Sequence, residues 1–117
     1  MRPGQHLRRQ SDIQAVRRQG ARVDCTAFTV WWKARPGGDG LSRACFVASN
    51  QAVGAAVLRN RAKRRMREVF RLHQDLLPPS CDLLLVARTP VNRWPFARLE
   101  QAFADASARI RSGPRTP

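Results

Sequence analysis

The feature that most constrains the fold of this 117-residue chain is the segment DLLLVAR at residues 82–88. Its apolar residues follow one another without alternation, which is typical of a strand buried on both faces of a sheet. A long helical pattern precedes this strand, and another strand pattern precedes the helix. Because two strands joined through a long helix can pair in parallel, the segment predicts a central strand reached by a βαβ crossover.

The other segments predict an α+β fold, in which helices pack against a single layer of mixed sheet in the order α-β-β-α-β-α. Residues 11–20 predict a short helix with Ser11 as its N-cap and Gly20 at its end. Residues 24–34 and 42–49 predict two strands joined as an antiparallel hairpin by the turn RPGGDG. A last helix is predicted over residues 95–111.

Composition indicates one domain over residues 1–117, with flexible ends at about residues 1–8 and 112–117. Cys25, Cys45 and Cys81 are widely spaced and form no CxxC pair, which argues against a disulfide framework or a zinc site and favours buried thiols. Neither an 18-residue apolar run nor a signal-peptide pattern is present. We therefore expect a cytoplasmic protein without membrane association.

The net charge is +14 and the isoelectric point is about 11.8. A globular domain this basic most often binds nucleic acid, because clustered Lys and Arg release counterions from phosphates. All but two of the 22 Lys and Arg residues are arginine. Either bidentate phosphate contacts or a GC-rich genome would produce that bias.

The cations concentrate in AAVLRNRAKRRMREVFR at residues 55–71, where Glu68 is the only acid. At about 100° per residue, the apolar residues of this helix fall in one arc and most of its cations in the opposite arc. The apolar arc, which we expect to pack on the sheet, consists of Leu58, Ala62, Met66, Val69, His73, Leu76 and Leu77. The outward arc consists of Asn60, Arg61, Arg64, Arg65, Arg67 and Arg71.

Three explanations of this charge run are open: a solvated helix face, a membrane-surface helix and a binding surface for a polyanion. Like charges three and four residues apart repel by about 0.2–0.5 kcal/mol per pair, which argues against a purely structural face. A membrane-surface helix needs an apolar face that is free to contact lipid. The apolar face of this helix is instead needed to pack on the core. Asn60, between Arg59 and Arg61, either caps the helix or offers a donor and an acceptor to a phosphate, a ribose or a base edge.

The segment LRNRAKRRMREVFR at residues 58–71 resembles the Arg-Asn-Arg signature of the protein subunit of bacterial ribonuclease P. The order of elements over about residues 6–110 is similar as well. The resemblance implies a ribosomal-protein-like fold with a left-handed crossover through the basic helix. It also implies a catalytic RNA that hydrolyses the phosphodiester with Mg²⁺, while the protein binds no cofactor itself. The RNA-binding residues that it implies are Arg59, Asn60, Arg61, Lys63, Arg64, Arg67 and Arg71.

The family also has a cleft for the single-stranded 5′ leader of precursor tRNA, between the first helix and the sheet. A stacking platform for single-stranded RNA needs aromatic rings beside cations, which Trp31 fits; the other possibility is that Trp31 is core under the first helix. The matching cleft positions here are Ile13, Arg17, Thr29 and Trp31. The chain departs from the family at Ile13 and Arg17, where Phe is frequent, and at Gln51 and Ala52, where a lysine pair is common.

No constellation of a protein active site is evident, since His6 lies near the start, His73 lies in the apolar arc and the acids are scattered. We therefore expect an accessory subunit of ribonuclease P that promotes endonucleolytic removal of the leader and is inactive alone. Its expected partners are the ribonuclease P RNA and precursor tRNA, and the free protein is expected to be a monomer. One alternative is a structural RNA-binding protein such as a ribosomal protein; another is a membrane-active or partner-binding basic helix.

Overall fold

The computed structural model describes residues 5–35, 37 and 40–112. Four strands form one mixed sheet: β1 (Ala21–Asp24), β2 (Phe28–Ala34), β3 (Arg43–Val47) and β4 (Cys81–Ala87). The α-helices are α1 (Gln10–Gln19), α2 (Asn50–Val53), α3 (Ala56–His73) and α4 (Phe96–Arg111). Short 3-10 turns at Gln74–Leu76 and Thr89–Asn92 follow α3 and β4. This architecture confirms the predicted α+β fold class.

β4 lies inside the sheet, whose spatial order is β1-β2-β4-β3. It pairs antiparallel with β2 and parallel with β3, which confirms the central strand and the crossover through α3. The predicted antiparallel hairpin between the strands on either side of RPGGDG is wrong. β4 separates those two strands, because its uninterrupted apolar run needs a neighbouring strand on each side as well as cover on both faces.

β1 is a strand that the sequence reading did not separate from β2. The two pair antiparallel across a tight turn in which Thr26 has a φ of 68°, and the Thr26 N–H donates to Asp24 Oδ1 at 2.9 Å. An Asp side chain that bonds the backbone two residues on stabilises such turns. The predicted strand at 24–34 therefore combines the last residue of β1, the turn and all of β2.

α1 ends at Gly20, as predicted, but it begins at Gln10 after Arg9, so Ser11 is not its N-cap. The Gly20 N–H donates to the Val16 carbonyl oxygen at 2.9 Å. A Cβ at position 20 would collide with the carbonyl oxygens of Val16 and Trp32. Glycine is required here by this close approach of α1 to β2.

The two faces of β2 pack into separate clusters, because successive side chains of a strand point to opposite faces of the sheet. Phe28, Val30 and Trp32 belong to the main core, which α3 and α4 cover. Trp31 faces the opposite side with a smaller cluster of Leu7, Val16 and Leu84 under α1. Both faces of the sheet are therefore covered, at least in part.

α3 buries Ala62, Met66, Val69 and Phe70 against the sheet. Phe70 was missing from the predicted apolar arc, whereas Leu58, which was included, is 41% exposed at the start of the helix. His73 is half-buried, and its Nε2 lies 2.6 Å from Glu100 Oε2 on α4. The arc was predicted on the correct side of the helix, and its centre is shifted toward Phe70.

Residues 5–8 lie against the sheet, a contact that the prediction of a flexible start did not include. Gln5 and Leu7 are buried, and their backbone groups bond to Ala44 of β3. The rest of the predicted flexible start, residues 1–4, and residues 113–117 of the predicted flexible end lie outside the described residues. None of the helices among the described residues is long and apolar enough to cross a membrane.

Candidate nucleic-acid interface

The cations of α3 occupy two flanks and a crest around the helix axis, at about 100° per residue. The crest, which lies opposite the buried residues, carries Asn60, Arg64 and Arg71, all of them exposed. Lys63 and Arg67 lie on the flank toward β3, while Arg61 and Arg65 lie on the opposite flank. We use the term cationic stripe for Asn60, Arg61, Lys63, Arg64, Arg67 and Arg71.

Arg65 does not face outward as the helical projection predicted. Its Nε donates to the Val91 carbonyl oxygen at 3.0 Å, and its Nη2 donates to the Trp94 carbonyl oxygen. Burial, reinforced by the nearby charge of Arg61, lowers the pKa of Arg65. Arg65 therefore ties α3 to the segment after β4, and it is excluded from the outward arc.

Arg59 also has intramolecular partners, in the connection between α2 and α3. Its Nη1 donates to the Gly54 carbonyl oxygen at 3.0 Å and approaches Asn50 Oδ1 at 3.4 Å. It lies only about 40° from the centre of the buried arc and is half-buried. Arg59 positions the start of the helix while part of its guanidinium is still accessible.

Asn60 is the fifth residue of α3, and the N-cap position is held by Ala55. Its side chain therefore does not cap the helix, which removes the structural alternative for this residue. At the far end of the crest, Arg71 Nε donates to Glu68 Oε2 at 3.1 Å, and this bond lowers the pKa of Glu68. Arg71 is thus the stripe's one arginine with an acidic partner among the described residues.

On the opposite face of the sheet, Trp31 lies close to two guanidinium groups. Arg17 of α1 is 5.9 Å from the centre of one Trp31 ring, and Arg22 of β1 is 5.6 Å away. Arg22 is the β1 partner of Trp31 in the sheet register, and Ile13 packs in the same cluster. An aromatic ring flanked by cations is the arrangement that stacks single-stranded bases.

Thr29 lies two residues from Trp31 on the same face of β2. It is only 4% exposed, and its Oγ1 has no hydrogen-bond partner among the described residues. Thr29 pairs with Val86 of β4, which in turn pairs with Val47 of β3. Val86 is half-buried and Val47 is 37% exposed. The structure thus brings Ile13, Arg17, Thr29 and Trp31 to one incompletely covered face, which we call the sheet cleft.

The family described as Ribonuclease P matches residues 1–111 of the chain. The chain belongs to the ribonuclease P protein family. A ribonuclease P protein component from Roseiflexus castenholzii is 36% identical over 90 residues, which cover 77% of this chain and 71% of that protein. A component from Chloroflexus aurantiacus is 36% identical over 115 residues, which cover 95% of this chain and 78% of that protein.

A solved structure agrees with this assignment. The RNase P protein from Thermotoga maritima superposes with a TM-score of 0.77 at 25% identity, covering 89% of this chain and 96% of that one. These similarities support a ribonuclease P protein rather than the alternative of a structural RNA-binding protein such as a ribosomal protein.

Arg22 is a residue of the sheet cleft that the sequence reading missed. The signal was present in ARVD, where Val23 alternates with polar neighbours in the period of a half-buried strand. The predicted strand began at residue 24, so Arg22, the cation opposite Trp31, was not among the predicted residues of the cleft. In this member of the ribonuclease P protein family, Arg22 and Arg17 together supply the charge around the ring.

The flank of α3 that carries Lys63 and Arg67 lies next to the edge strand β3, since the Arg67 guanidinium carbon is 5.7 Å from the centre of the Phe46 ring. Burial raises the pKa of the Cys45 thiol, and the nearby charge of Lys63 opposes that shift. Cys45 points to the face of the sheet that carries Trp31, since both residues are paired with Leu84. The charge of Lys63 therefore acts on a residue of the edge strand β3 that faces the cleft side of the sheet.

The cleft side of the sheet is held in place by a buried carboxylate. Asp82 accepts hydrogen bonds from Arg35 at 2.6 Å and from two nitrogens of Arg43 at 2.7 and 2.9 Å, and Arg43 also lies 3.7 Å from Asp12 of α1. Burial raises the pKa of Asp82, but the bonds from the two arginines outweigh that effect and leave it below its usual value. This network links β3, β4, α1 and the residue that follows β2.

The described residues contain no group of three or more His, Cys, Asp or Glu side chains placed to hold a metal ion. Burial raises the pKa of the Cys25 thiol to about 12 and that of the Cys81 thiol to about 11, so both are protonated at neutral pH.

Proposed function

We propose that the protein binds the catalytic RNA of ribonuclease P and the 5′ leader of precursor tRNA, and thereby promotes endonucleolytic removal of the leader. The observation that carries this proposal is the exposed cationic stripe of α3 with Asn60 on its crest. Membership of the ribonuclease P protein family supports ribonuclease P as the enzyme in which the protein acts. The stripe and the sheet cleft suggest how the protein takes part.

The stripe is suited to a folded RNA. Its guanidinium groups are spaced along one side of an 18-residue helix, so they can contact several phosphates of a backbone that runs along it. Asn60 can add a donor and an acceptor to a ribose or a base edge. We assign Arg61, Lys63, Arg64 and Arg67 to phosphate contacts, with smaller contributions from the tied Arg59 and the acid-paired Arg71.

The sheet cleft is suited to a single strand. The Trp31 ring offers a stacking surface that does not depend on base identity, and Arg17 and Arg22 can neutralise the adjacent phosphates. Thr29 is only 4% exposed and its Oγ1 is buried, so Thr29 would form part of the floor of the cleft rather than a direct contact with the RNA. Ile13, at the α1 side of this cluster, supplies apolar contact.

In this proposal the protein binds and orients, and the RNA subunit carries the hydrolytic chemistry with Mg²⁺. Lysine and arginine side chains that neutralise phosphates lower the repulsion between two RNAs. The protein would therefore matter most at low magnesium concentration, where fewer divalent ions screen that repulsion. We also propose that the free protein is a monomer and acts in the cytoplasm.

Reconstitution tests the proposal. The purified protein is added to a bacterial ribonuclease P RNA at low magnesium, and 5′-leader cleavage of a precursor tRNA is scored, with protein alone and RNA alone as controls. Restored cleavage by the mixture, and none by the protein alone, is expected. Tight RNA binding without restored cleavage would contradict the proposed role.

A further inference from the structure

A second aromatic and cationic site lies on the opposite flank of α3 from β3. The Arg98 guanidinium carbon is 3.8 Å from the centre of a Trp94 ring, the shortest such cation–ring distance among the described residues. Trp94 is half-buried against the main core, whereas Arg98 is exposed on the first turn of α4. One face of the guanidinium is therefore covered by the indole, and its other face is turned toward solvent.

The backbone around this pair is fixed from α3. Arg65 donates to the carbonyl oxygens of Val91 and Trp94, and Asn92 Nδ2 donates to the Leu58 carbonyl oxygen at 3.0 Å. Arg65 also lies 6.0 Å from the Phe96 ring. A stack whose backbone is tied at three points loses little conformational entropy when a ligand binds to it.

The segment that leads to the pair carries charge of one sign. The segment at residues 88–98 contains Arg88, Arg93 and Arg98 and no acid. Arg61, on the same flank of α3, is close enough to lower the pKa of Arg65. The main core separates this site from the sheet cleft, because Trp31 points to the other face of the sheet.

We infer that the Trp94–Arg98 stack is a further RNA-binding site, which takes an unpaired base of the catalytic RNA onto the open face of the Arg98 guanidinium. Adjacent phosphates would contact Arg61 and Arg93. A planar guanidinium held on an aromatic ring presents a flat cationic surface to a base and N–H groups to the backbone. The catalytic RNA is the occupant because the stack adjoins the stripe assigned to it and faces away from the cleft assigned to the leader.

This inference rests on the proposed function. The experiment distinguishes a failure of the inference from a failure of the proposed function. Affinity of the full protein for the catalytic RNA is measured as a function of salt for wild type, Arg98→Ala, Arg98→Lys and Arg109→Ala. Arg109 is the matched control, since it is exposed and lies eleven residues, or about three turns, further along the same side of α4.

Arg98→Ala is expected to weaken binding by about fivefold to a hundredfold, the range for loss of one stacked base, and to flatten the log–log salt slope by up to about one unit. Arg98→Lys should keep the salt slope of wild type, because lysine carries the same charge. It should not keep the affinity, because lysine lacks the planar guanidinium on which a base can stack. Arg109→Ala should leave the affinity near that of wild type. The preference for precursor over mature tRNA should be the same in all four proteins.

An Arg98→Ala protein that binds as tightly as Arg109→Ala would overturn the inference, and so would full recovery of affinity by Arg98→Lys. Because Arg98 is exposed, the circular dichroism spectrum and the melting temperature should match those of wild type, which verifies folding. Failure of the wild-type protein to bind the RNA would instead contradict the proposed function.

Discussion

Arg65 Nε donates a hydrogen bond to the carbonyl oxygen of Val91 over 3.0 Å, so α3 is tied to the turn that follows β4. The same guanidinium also bonds the Trp94 carbonyl oxygen. A run of arginines that looks uniform in the sequence thus contains two kinds of residue. Arg65 holds the fold together, and its neighbours on the crest are free to contact RNA.

Replacing Arg65 should therefore affect stability more than RNA binding. Arg65→Ala removes bonds from a charged donor to two carbonyl oxygens, and it should lower the free energy of unfolding by about 1.5–3 kcal/mol. Arg64→Ala, the exposed neighbour, should change it by less than about 0.5 kcal/mol. Urea denaturation of both variants measures the difference, and equal stabilities would contradict the structural role of Arg65.

Removing Arg61 and Arg64 together should weaken binding to the catalytic RNA and flatten its salt dependence. Two phosphate contacts contribute at most about two units of log–log slope. The matched control is Arg18→Ala with Arg109→Ala, which removes the same charge from exposed positions on α1 and α4. Titration at several salt concentrations makes the comparison. An unchanged slope in the stripe variant would remove both residues from the set of phosphate contacts.

Trp31→Ala should weaken the reconstituted enzyme's binding of precursor tRNA more than its binding of mature tRNA. Loss of one stacked base costs about 1–3 kcal/mol, and mature tRNA has no leader to lose. Trp31→Phe keeps an aromatic ring close to Arg17 and Arg22 and should retain most of the preference. If Trp31→Ala weakened both tRNAs equally, Trp31 would be a core residue only.

Asp82→Asn should lower stability at neutral pH and reduce its acid dependence. The folded-state pKa of Asp82 is lowered, so its contribution is present above the unfolded-state pKa and is lost as the pH falls through the folded-state value. The cost at pH 7 should be about 1.5–3 kcal/mol, as for hydrogen bonds to a charged group. Melting temperatures from pH 7 to pH 3 should show the two proteins converging in acid. A constant difference between them would contradict this assignment.

The elements with strong periodicity could be predicted from the sequence, and the pairings between them could not. The apolar run of β4 predicted a strand with both faces covered, and the spacing in α3 predicted which side packs on the sheet. The wrong hairpin followed from local reasoning about RPGGDG, because a turn signal does not reveal that β4 will insert between β2 and β3. β1 was missed since four residues carry too little alternation to separate a strand from the turn beside it.

The candidate site shows the same division. The cationic stripe could be predicted, because helical spacing alone separates outward cations from buried residues. The tie from Arg65 to Val91 depends on where a distant turn packs, and no local pattern encodes it. The same holds for the pairing of Trp94 with Arg98, although the two residues are one helical turn apart along the chain.

The most direct measurement is site-specific photocrosslinking in the reconstituted complex of protein, catalytic RNA and precursor tRNA. A photoreactive phenylalanine replaces Asn60, Arg17 or, as a control at an exposed position near the end of α4, Arg109. Position 60 should crosslink to the catalytic RNA, position 17 to the 5′ leader and position 109 to neither. Crosslinks from positions 60 and 17 to the same RNA, or equal yields from all three positions, would contradict it.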